Sequence, residues 1–391
     1  MRVVLLPSEP FDFPESPLLG IFQRHQAGAL AVEGVDVGVV APQRRSLRYL
    51  PVLARHPRRL RPPREALGYP VLRARGWDLF PRSPGPQRRA FLATGLRLFE
   101  EYRQRYGMPD VVHAHNTLPA GELAFQISRR HGLPYVVTEH HSRFLAGEFD
   151  AVERERILRT LTGAGAVLAV SRALADRIGA LCGRPALARV VPNVLPPEVE
   201  SIRPDLGAPA AGDVTFACVA GLVPIKNHEL LLRAFASAFR GDPSARLRVV
   251  GGGPLRGRLG TLATQLGVSA QVTFTGALGR AALVEELERA SAVVLSSHNE
   301  TFGLALVEAM YFGKPVVSTR CGGPEDVVEE GTGILVPPGD VAAYAEALRD
   351  VRRRLSAFSP ARIHERCVAR YGRRAIVAAL RTVYDEVRVL R

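Results

Sequence analysis

Cysteine is scarce in this chain: four cysteines occur among 391 residues, and no two of them lie close together. The paired Cys spacings that mark disulfide frameworks and structural zinc sites are therefore absent. We expect reduced, mostly buried thiols of the kind found in cytoplasmic proteins. The four residues are Cys182, Cys218, Cys321 and Cys367.

Long hydrophobic runs are missing as well. The apolar start at residues 1–6 is followed at once by Pro7-Ser8-Glu9-Pro10, which leaves it too short for a signal peptide. No other apolar run approaches the ~20 residues that a membrane-spanning helix needs. We therefore expect a cytoplasmic protein, and any membrane contact would be peripheral, on the inner face of the cell membrane.

Lysine is absent from a basic segment, residues 44–105, which carries sixteen arginines against four acidic residues. This segment contributes +12 of the formal net charge of +14, and the nine prolines from Pro42 to Pro86 predict a loop-like conformation. An anionic membrane surface or a lipid-linked phosphate acceptor would suit it, but an arginine-rich solvated face is an open alternative. Nucleic acid is not expected, because no nucleic-acid motif and no interleaved aromatic residues accompany the charge.

Metal and dinucleotide patterns are missing too. No Asp-x-Asp pair occurs, and neither His113 with His115 nor His140 with His141 has a third ligand at metal spacing. The sequence therefore predicts no metal and no cofactor. A G-x-G-x-x-G fingerprint is excluded because Arg256 stands at its last glycine position.

What the chain does contain is a regular alternation of short apolar runs and helical patterns. This alternation favours an α/β fold of two doubly wound, parallel-sheet (Rossmann-like) domains facing each other across a cleft. We place an acceptor-binding domain at residues 1–200 and a donor-binding domain at 212–371, with Pro196-Pro197 and residues 203–212 as the linker. The last helix, within 372–391, is expected to pack back onto the first domain.

The most informative stretch runs from Ser296 to Met310, directly after an apolar strand. Glu300 falls on the strand-to-helix turn, Gly303 at the helix start, and Glu308 about one and a half turns later. Amide groups at a helix start form an anion site, and ligands of open α/β sheets bind beyond the strand ends. Two carboxylates beside such a site suit a nucleotide sugar, although an ordinary strand–helix unit with two solvated glutamates would show the same pattern.

Lys226 and Asn227 follow the first strand of the second domain. Asn227 is a good N-cap for the next helix, so Lys226 would bring an ammonium group and backbone donors to one point. That combination, with helix dipoles in place of a metal, stabilises a departing diphosphate; the alternative is a surface lysine beside a cap. Gly253, in a run of three glycines, permits close approach of a ligand or merely forms a turn.

Three histidines stand near the ends of two strands in the first domain. His113 and His115 alternate on one strand, and His140 follows another. We expect His113 to be a satisfied core residue, and we expect His115 and His140 to contact sugar hydroxyls.

Together these motifs resemble the family-4 retaining glycosyltransferases of the GT-B fold, over nearly the whole chain and most strongly from Val214 to about Ala347. The weaker matches in the first half are Asp110-Val111-Val112-His113-Ala114-His115, Thr138-Glu139-His140 and Val191-Pro192-Asn193-Val194. The stronger matches are Leu222-Val223-Pro224-x-Lys226-Asn227, Val250-Gly251-x-Gly253-Pro254, Phe274-Thr275-Gly276, the Glu300/Glu308 pair, Pro315-Val316-Val317, Gly322-Gly323-Pro324-Glu325 and Gly333-Ile334-Leu335-Val336-Pro337.

The resemblance implies roles for individual residues. Glu300 would contact the donor sugar, Glu308 the ribose of the nucleotide and Lys226 the diphosphate, while His115 would lie near the reacting sugar. The other implied donor-binding positions are Phe302, Gly303, Leu304, Gly20, Gly221, Asn227 and Gly253, and the sugar or acceptor positions are His140 and Glu139.

One position departs from the family pattern. Many members carry an arginine where this chain has Gly221, so part of the phosphate charge lacks its usual partner. Arg24 or Arg320 would have to replace it.

The resemblance thus implies an enzyme that moves a sugar from a nucleotide-diphosphate sugar to an acceptor hydroxyl, with retained anomeric configuration. A glycan or lipid-linked acceptor, in cell-envelope or exopolysaccharide assembly, is expected. Two alternatives stay open: a GT-B sugar-nucleotide epimerase or hydrolase, and a non-catalytic glycan-binding module.

Overall fold

A computed structural model describes residues 1–11, 20–46, 67–74, 77–78, 83–207 and 212–389. The chain forms two compact units. Unit 1 comprises residues 1–170, 174–194 and 373–391, and unit 2 comprises residues 171–173 and 195–372. The last segment of the chain therefore belongs to the same unit as the first.

Unit 1 is built on a seven-stranded sheet in which every pairing is parallel, as expected for alternating strands and helices. Its strand order is β4-β2-β1-β6-β7-β8-β9, and β3 pairs with β5 separately. The strands are β1 (Arg2–Leu6), β2 (Asp36–Ala41), β3 (Arg45–Ser46), β4 (Val71–Arg73), β5 (Trp77–Asp78), β6 (Val111–His115), β7 (Tyr135–Glu139), β8 (Ala166–Ala169) and β9 (Ala188–Val190).

Helices cover this sheet, and one of them comes from the far end of the chain. The helix Arg373–Val389 places Ile376, Leu380 and Tyr384 in the same buried cluster as Val3 and the other inward-facing strand residues. The remaining helices of unit 1 are Ile21–Val32, Pro84–Tyr106, Glu122–His131, Arg143–Ala146, Ala151–Thr162 and Arg172–Leu181, with a π-helical turn at Thr117–Gly121.

Unit 2 has a six-stranded parallel sheet with the order β12-β11-β10-β13-β14-β15. Its strands are β10 (Val214–Val219), β11 (Ala245–Val250), β12 (Val272–Gly276), β13 (Ala292–Leu295), β14 (Val316–Thr319) and β15 (Gly333–Val336). Its helices are Pro197–Glu200, His228–Phe239, Arg256–Gln265, Arg280–Arg289, Leu304–Tyr311, Pro324–Val327, Val341–Arg353 and Pro360–Tyr371, with 3-10 turns at Pro224–Lys226 and Leu355–Ala357.

One sequence expectation was wrong in detail. The proline-rich run Pro42–Pro86 is not simply loop-like, because its described part contains a strand, Val71–Arg73, on the sheet edge. The helix expected at about Ala90–Arg105 is present but begins earlier, at Pro84. Proline suits both places, since an edge strand and the first turn of a helix need no hydrogen bond from its nitrogen. The short helix Pro197–Glu200 begins at the second proline of the predicted linker pair Pro196-Pro197. Residues 47–66, 75–76 and 79–82 of the basic segment lie outside the described residues.

No helix in the described part of the chain combines the length and the apolar character needed to cross a bilayer.

Candidate active site

The sheet of unit 2 contains a topological switch point between β10 and β13. From β10 the chain moves outward through β11 and β12, and then returns to the other side of β10 to continue as β13, β14 and β15. Because all these strands are parallel, the loops after β10 and β13 leave the same sheet edge side by side. This is where open α/β sheets bind ligands.

The loop after β10 carries Lys226 and is tied to the loop after β13. The His298 amide donates to the Ile225 carbonyl at 2.8 Å, and the Ser296 hydroxyl donates to the carbonyls of Lys226 and Asn227 at 3.0 Å. Asn227 has a φ of 46°, and its side chain accepts from the Leu230 amide at 3.4 Å. The predicted N-cap is therefore confirmed, and it holds Lys226 at the sheet edge.

Lys226 forms an ion pair with Glu300, so the structure brings together two residues that the sequence separates by 74 positions. The Glu300 backbone is itself fixed, because its amide donates to the Cys321 carbonyl at 3.1 Å and its carbonyl accepts from Gly323 at 2.6 Å. Both side chains of the pair keep some exposure, 24% for Lys226 and 16% for Glu300. A ligand can therefore reach the pair.

The helix Leu304–Tyr311 starts beside this ion pair, as predicted. Gly303 takes the N-cap position with a φ of 91°, and no side chain caps the helix. A Cβ at Gly303 would lie 3.8 Å from Cγ of Glu300. Phe302 is buried and meets the Tyr371 ring edge-on at 5.6 Å between centroids. The uncapped amides at Leu304 and the next residue are thus available to an anion next to Lys226.

Glu308 is 5% exposed and forms an ion pair with Arg280, with Nη1 to Oε1 at 2.7 Å. Burial raises the pKa of the Glu308 carboxyl above its ordinary value of 4.5; the Arg280 guanidinium opposes this rise, and Glu198 adds to it. Arg280 was not among the predicted site residues. No sequence pattern marks Arg280 beyond its place at a helix start after Gly279, because its partner lies in a distant segment.

The glycine run after β11 packs against the loop after β10. Gly253 has a φ of +156°, and a Cβ there would lie 2.5 Å from the Leu222 carbonyl oxygen. The Leu222 amide in turn donates to the Gly252 carbonyl at 2.9 Å. Close contact between the two loops is reason enough for glycine at 253, and the donor contacts of Gly253 and Gly221 stay predictions.

The two arginines considered as substitutes at the phosphate lie in different units. Arg320 is exposed directly after β14, at the same sheet edge as Lys226. Arg24 lies on the first helix of unit 1. Of the two, only Arg320 shares the unit and the sheet edge of the ion pair.

His228 is a further polar residue next to Lys226 that the sequence did not single out. Its side chain is 1% exposed, and neither ring nitrogen has a hydrogen-bond partner among the described residues. Burial, reinforced by the Lys226 charge, lowers the pKa of His228 to about 4. His228 is therefore neutral at physiological pH and adds no positive charge to the site.

Unit 1 has its own switch point between β1 and β6. Gly20 begins the helix after β1 with a φ of 62°, and a Cβ there would lie 2.8 Å from Cβ of Glu9. Glycine is required at this position by both conformation and space. The role predicted for Gly20 at the donor phosphate stays a prediction.

The three histidines form a buried stack at the end of β6. His113 forms hydrogen bonds with the Tyr384 hydroxyl at 2.6 Å and with the Thr138 hydroxyl at 2.7 Å. It is therefore the satisfied core residue that was expected. The rings of His113 and His115 stack at 4.9 Å, and Nδ1 of His115 lies 3.0 Å from Nε2 of His140. Phe22 covers His140 at 4.1 Å between centroids. His115 is fully buried, and its Nε2 has no hydrogen-bond partner among the described residues.

Burial controls the protonation of this stack. It lowers the pKa of His115 to about 3 and the pKa of His140 well below 6.5. At His140 the neighbouring histidines add to the effect, and a hydrogen bond with Asn193 opposes it. All three rings are neutral at physiological pH. They can therefore exchange hydrogen bonds with hydroxyl groups but carry no charge towards a phosphate.

Glu139 is fully buried, and both of its carboxylate oxygens serve the protein itself. Oε2 accepts from the Thr117 amide at 2.8 Å and hydroxyl at 2.7 Å, and Oε1 accepts from the amides of His140 and His141 at 2.8 and 2.7 Å. This network fixes the loops that follow β6 and β7.

Unit 1 also contains an open cavity of about 490 Å³ beside these loops. Arg88 and Glu122 pair within its wall at 2.6 Å, and Arg143 pairs with Glu153 at 2.9 Å. Arg44 and Arg156 add positive charge to the wall, and Phe91 adds an apolar surface. The cavity is large enough for a polar molecule of sugar size.

Among the residues that the structure describes, no group of three or more His, Cys, Asp and Glu side chains is arranged to hold a metal ion.

Solved structures share this two-unit architecture. Sucrose-phosphate synthase from Thermosynechococcus elongatus superimposes with a TM-score of 0.77 at 20% identity, covering 100% of both chains. Anabaena HepE in complex with UDP-glucose gives a TM-score of 0.69 at 20% identity, covering 98% of this chain and 99% of that one. Two parallel sheets with flanking helices and these structural neighbours define the GT-B class of fold.

Sequence comparisons carry the assignment from class to family. A family model for a glycosyl transferase 4-like domain matches residues 19–194, and one for glycosyl transferases group 1 matches residues 200–354. The D-inositol 3-phosphate glycosyltransferase of Acidothermus cellulolyticus is 30% identical over 89% of this chain and 81% of its own. The 2-deoxystreptamine N-acetyl-D-glucosaminyltransferase of Streptomyces fradiae is 32% identical over 81% of this chain and 82% of its own. The chain belongs to the family-4 glycosyltransferases and is an enzyme of that kind.

Proposed function

We propose that this glycosyltransferase moves a sugar from a nucleoside-diphosphate sugar to an acceptor hydroxyl and retains the anomeric configuration. One observation carries the proposal: at the switch point of unit 2, the Lys226 ammonium pairs with Glu300 directly before the uncapped helix start at Gly303. A cation and free backbone amides at one point suit a departing diphosphate. The structural neighbour HepE, whose structure holds UDP-glucose, supports a donor of this class.

The proposed roles follow from the charges at that point. Lys226 and the amides at Leu304 stabilise the negative charge that develops on the diphosphate as the bond from the anomeric carbon to its oxygen breaks. Glu300 orients the donor sugar, and Glu308 accepts hydrogen bonds from the ribose. Because Lys226 pairs with Glu300, a diphosphate at this point would compete with Glu300 for the ammonium.

For retention, the acceptor oxygen attacks the anomeric carbon from the face that the diphosphate leaves. The new bond joins that carbon to the acceptor oxygen, and the acceptor proton passes to the departing phosphate oxygen. His115 is neutral and fully buried, so it is not suited to protonating the leaving group, and its predicted contact with a sugar hydroxyl stays a prediction.

The acceptor belongs in unit 1 under this proposal. The cavity beside the β6 and β7 loops has the volume and the mixed arginine, glutamate and aromatic wall that a polar glycan or a lipid-linked acceptor needs. We extend the proposal to cell-envelope or exopolysaccharide assembly at the inner face of the membrane, with the basic segment against anionic lipid. Binding to vesicles with and without anionic lipid tests this extension.

We also propose that transfer needs no divalent ion, because Lys226 and the helix start take over the neutralisation of the diphosphate. Activity that survives exhaustive treatment with a chelator, and that added Mg²⁺ or Mn²⁺ does not raise, is the expected result. Loss of activity in chelator that Mn²⁺ restores would refute this part of the proposal.

Lys226→Ala tests the central claim. Loss of a donor that stabilises the developing charge is expected to lower the transfer rate by about 10²–10³-fold. The chain has one other lysine, Lys314, which precedes β14 at the opposite end of the sheet and donates to the Glu288 carbonyl at 2.8 Å. Lys314→Ala is therefore the matched control and should keep its rate. Equal rates for Lys226→Ala and the wild type would overturn the mechanism.

Product analysis separates the remaining reaction types. Nuclear magnetic resonance of the product is expected to show a glycoside with the donor's anomeric configuration, formed only when acceptor is present. An inverted glycoside would contradict retention. Free sugar at the full rate without acceptor would indicate a hydrolase, and an epimerised donor would indicate an epimerase.

A further inference from the structure

We propose that Arg280 is a positioning residue for nucleotide recognition: it holds the Glu308 carboxylate in the orientation and the charge state in which that carboxylate grips the ribose diol. The inference rests on the proposed function, in which Glu308 binds the ribose. Nothing in the sequence motifs assigns a role to Arg280.

The geometry divides the two carboxylate oxygens of Glu308 between protein and ligand. Arg280 Nη1 donates to Oε1 at 2.7 Å. Within the described part of the chain, no group donates a hydrogen bond to Oε2. A carboxylate has about four acceptor positions, so Oε2 and the remaining lone pair of Oε1 can serve two neighbouring hydroxyls.

Burial makes this arrangement depend on Arg280. Glu308 is 5% exposed, and a carboxylate removed from water protonates unless an opposite charge holds it ionised. The charged groups that act on it are Arg280, which favours the ionised form, and Glu198 of the short helix Pro197–Glu200, which opposes it. In a protonated carboxyl, one oxygen becomes a hydrogen-bond donor, so fewer acceptor positions remain for the hydroxyls of a diol.

The position of Arg280 points the same way. It is the first residue of the helix Arg280–Arg289, and no side chain caps that helix. A cation at a helix N-terminus is unfavourable, because the helix dipole is positive there. The ion pair between Arg280 and the buried Glu308 carboxylate of another helix compensates for this unfavourable position. The stability of its own helix does not explain why an arginine stands there.

The test measures ribose discrimination by isothermal titration calorimetry. The wild-type protein is titrated with UDP, GDP and ADP, and the nucleotide that binds is compared with its 2′,3′-dideoxy analogue. The variants are Arg280→Gln, Arg280→Lys and Arg289→Gln. Arg289 lies on the same helix in an exposed ion pair with Glu285 at 3.0 Å, which makes it the matched control.

The wild type is expected to bind the ribonucleotide about 10–100-fold more tightly than the dideoxy analogue, as hydrogen bonds to a charged acceptor warrant. In Arg280→Gln this ratio should fall towards one while the affinity for the analogue stays near that of the wild type. Arg280→Lys should recover part of the ratio, and Arg289→Gln should keep it. The acid-side loss of ribonucleotide binding should also move to higher pH in Arg280→Gln, by about 1–3 pH units.

Each contrary result is distinct. A wild-type ratio kept in full by Arg280→Gln, or an equal loss of affinity for both ligands, overturns the role of Arg280 and leaves the transferase assignment standing. A wild type that binds both ligands equally overturns ribose recognition by Glu308 and with it this inference. A wild type that binds none of the three nucleotides overturns the proposed donor class as well.

Discussion

At the scale of single residues, unit 1 is most distinctive in keeping three histidines neutral and stacked where the neighbouring strands β6 and β7 end. His113 and Thr138, and His115 and His140, hold each other by hydrogen bonds, so each ring needs a defined tautomer. Burial disfavours the charged form of every ring in the stack. The stack therefore couples the stability of unit 1 to pH.

We predict that unit 1 loses stability as the pH falls below about 6.5. Burial lowers the pKa of His115 from 6.5 to about 3 in the folded protein. Between these two pH values the histidine is protonated in the unfolded chain but stays neutral in the folded one. Below pH 6.5, each such histidine lowers the free energy of unfolding by about 1.4 kcal/mol for every unit by which the pH falls. Above pH 6.5 this loss is absent. The measurement is urea unfolding at several pH values, followed by the fluorescence of the single tryptophan, Trp77 of unit 1.

His115→Asn should make this dependence shallower by about the share of one histidine. His141→Asn is the control, because His141 is exposed and stands next to the stack without joining it. A pH dependence that His115→Asn leaves unchanged would contradict the prediction.

Residue chemistry was predictable from the sequence where it depended on local position. Asn227 as a cap and Gly303 at a helix start follow from their neighbours along the chain, and the structure confirms both positions. Arg280 was not predictable, because its partner Glu308 lies 28 residues away and only folding brings the two together. The burial of His115 was missed for a similar reason, since Phe22 and His140 reach it from other segments.

At the scale of elements, the contact between the loops after β10 and β11 sets the geometry at the sheet edge. Gly251 and Gly253 both have positive φ, and a Cβ on either would run into the backbone of the loop that carries Lys226. Displacing that loop would move Lys226 away from Glu300. The two glycines therefore position the ion pair without touching it.

Gly253→Ala is expected to cost about 1–3 kcal/mol of unit 2 stability and to weaken nucleotide binding, because the loop must shift and the residue is strained. Gly257→Ala is the matched control: a Cβ there meets nothing within 4 Å, and the residue lies in the exposed part of a helix. That change should leave stability the same or raise it by up to about 1 kcal/mol. Urea unfolding and calorimetry with the nucleotide measure both effects, and equal behaviour of the two variants would refute the loop argument.

Most elements could be placed from the sequence because a buried parallel strand is a short, nearly continuous apolar run. The strands Val111–His115, Val214–Val219, Ala292–Leu295 and Gly333–Val336 lie where the pattern predicts them. The strand Val71–Arg73 could not be placed in this way. It is three residues long and lies at a sheet edge among prolines and arginines. Its strand conformation comes from its pairing with β2 and not from a recognisable apolar run.

At the scale of the whole molecule, unit 1 is assembled from the two ends of the chain. The helix Arg373–Val389 contributes six buried side chains to unit 1. In the sequence, residues 195–372 of unit 2 separate this helix from the rest of unit 1. Amphipathic spacing predicted the helix itself. Which unit it joins is a matter of tertiary packing, and the structure groups it with unit 1.

We predict that Leu380→Ala destabilises unit 1 by about 2–5 kcal/mol, the usual cost of emptying a fully buried leucine site. Thr382→Ala changes an exposed residue two positions further along the same helix and is expected to stay within about 0.5 kcal/mol of the wild type. Urea unfolding followed by Trp77 fluorescence compares the two. Equal midpoints for Leu380→Ala and the wild type would show that this helix does not belong to the core of unit 1.

This division also sets an order of events during synthesis on the ribosome. Apart from residues 171–173, unit 2 is drawn from one unbroken stretch, residues 195–372, so its segments are made one after another. The part of unit 1 that precedes this stretch lacks the helix Arg373–Val389 until the residues after 372 have been made. The half of the enzyme that is made first is therefore completed last.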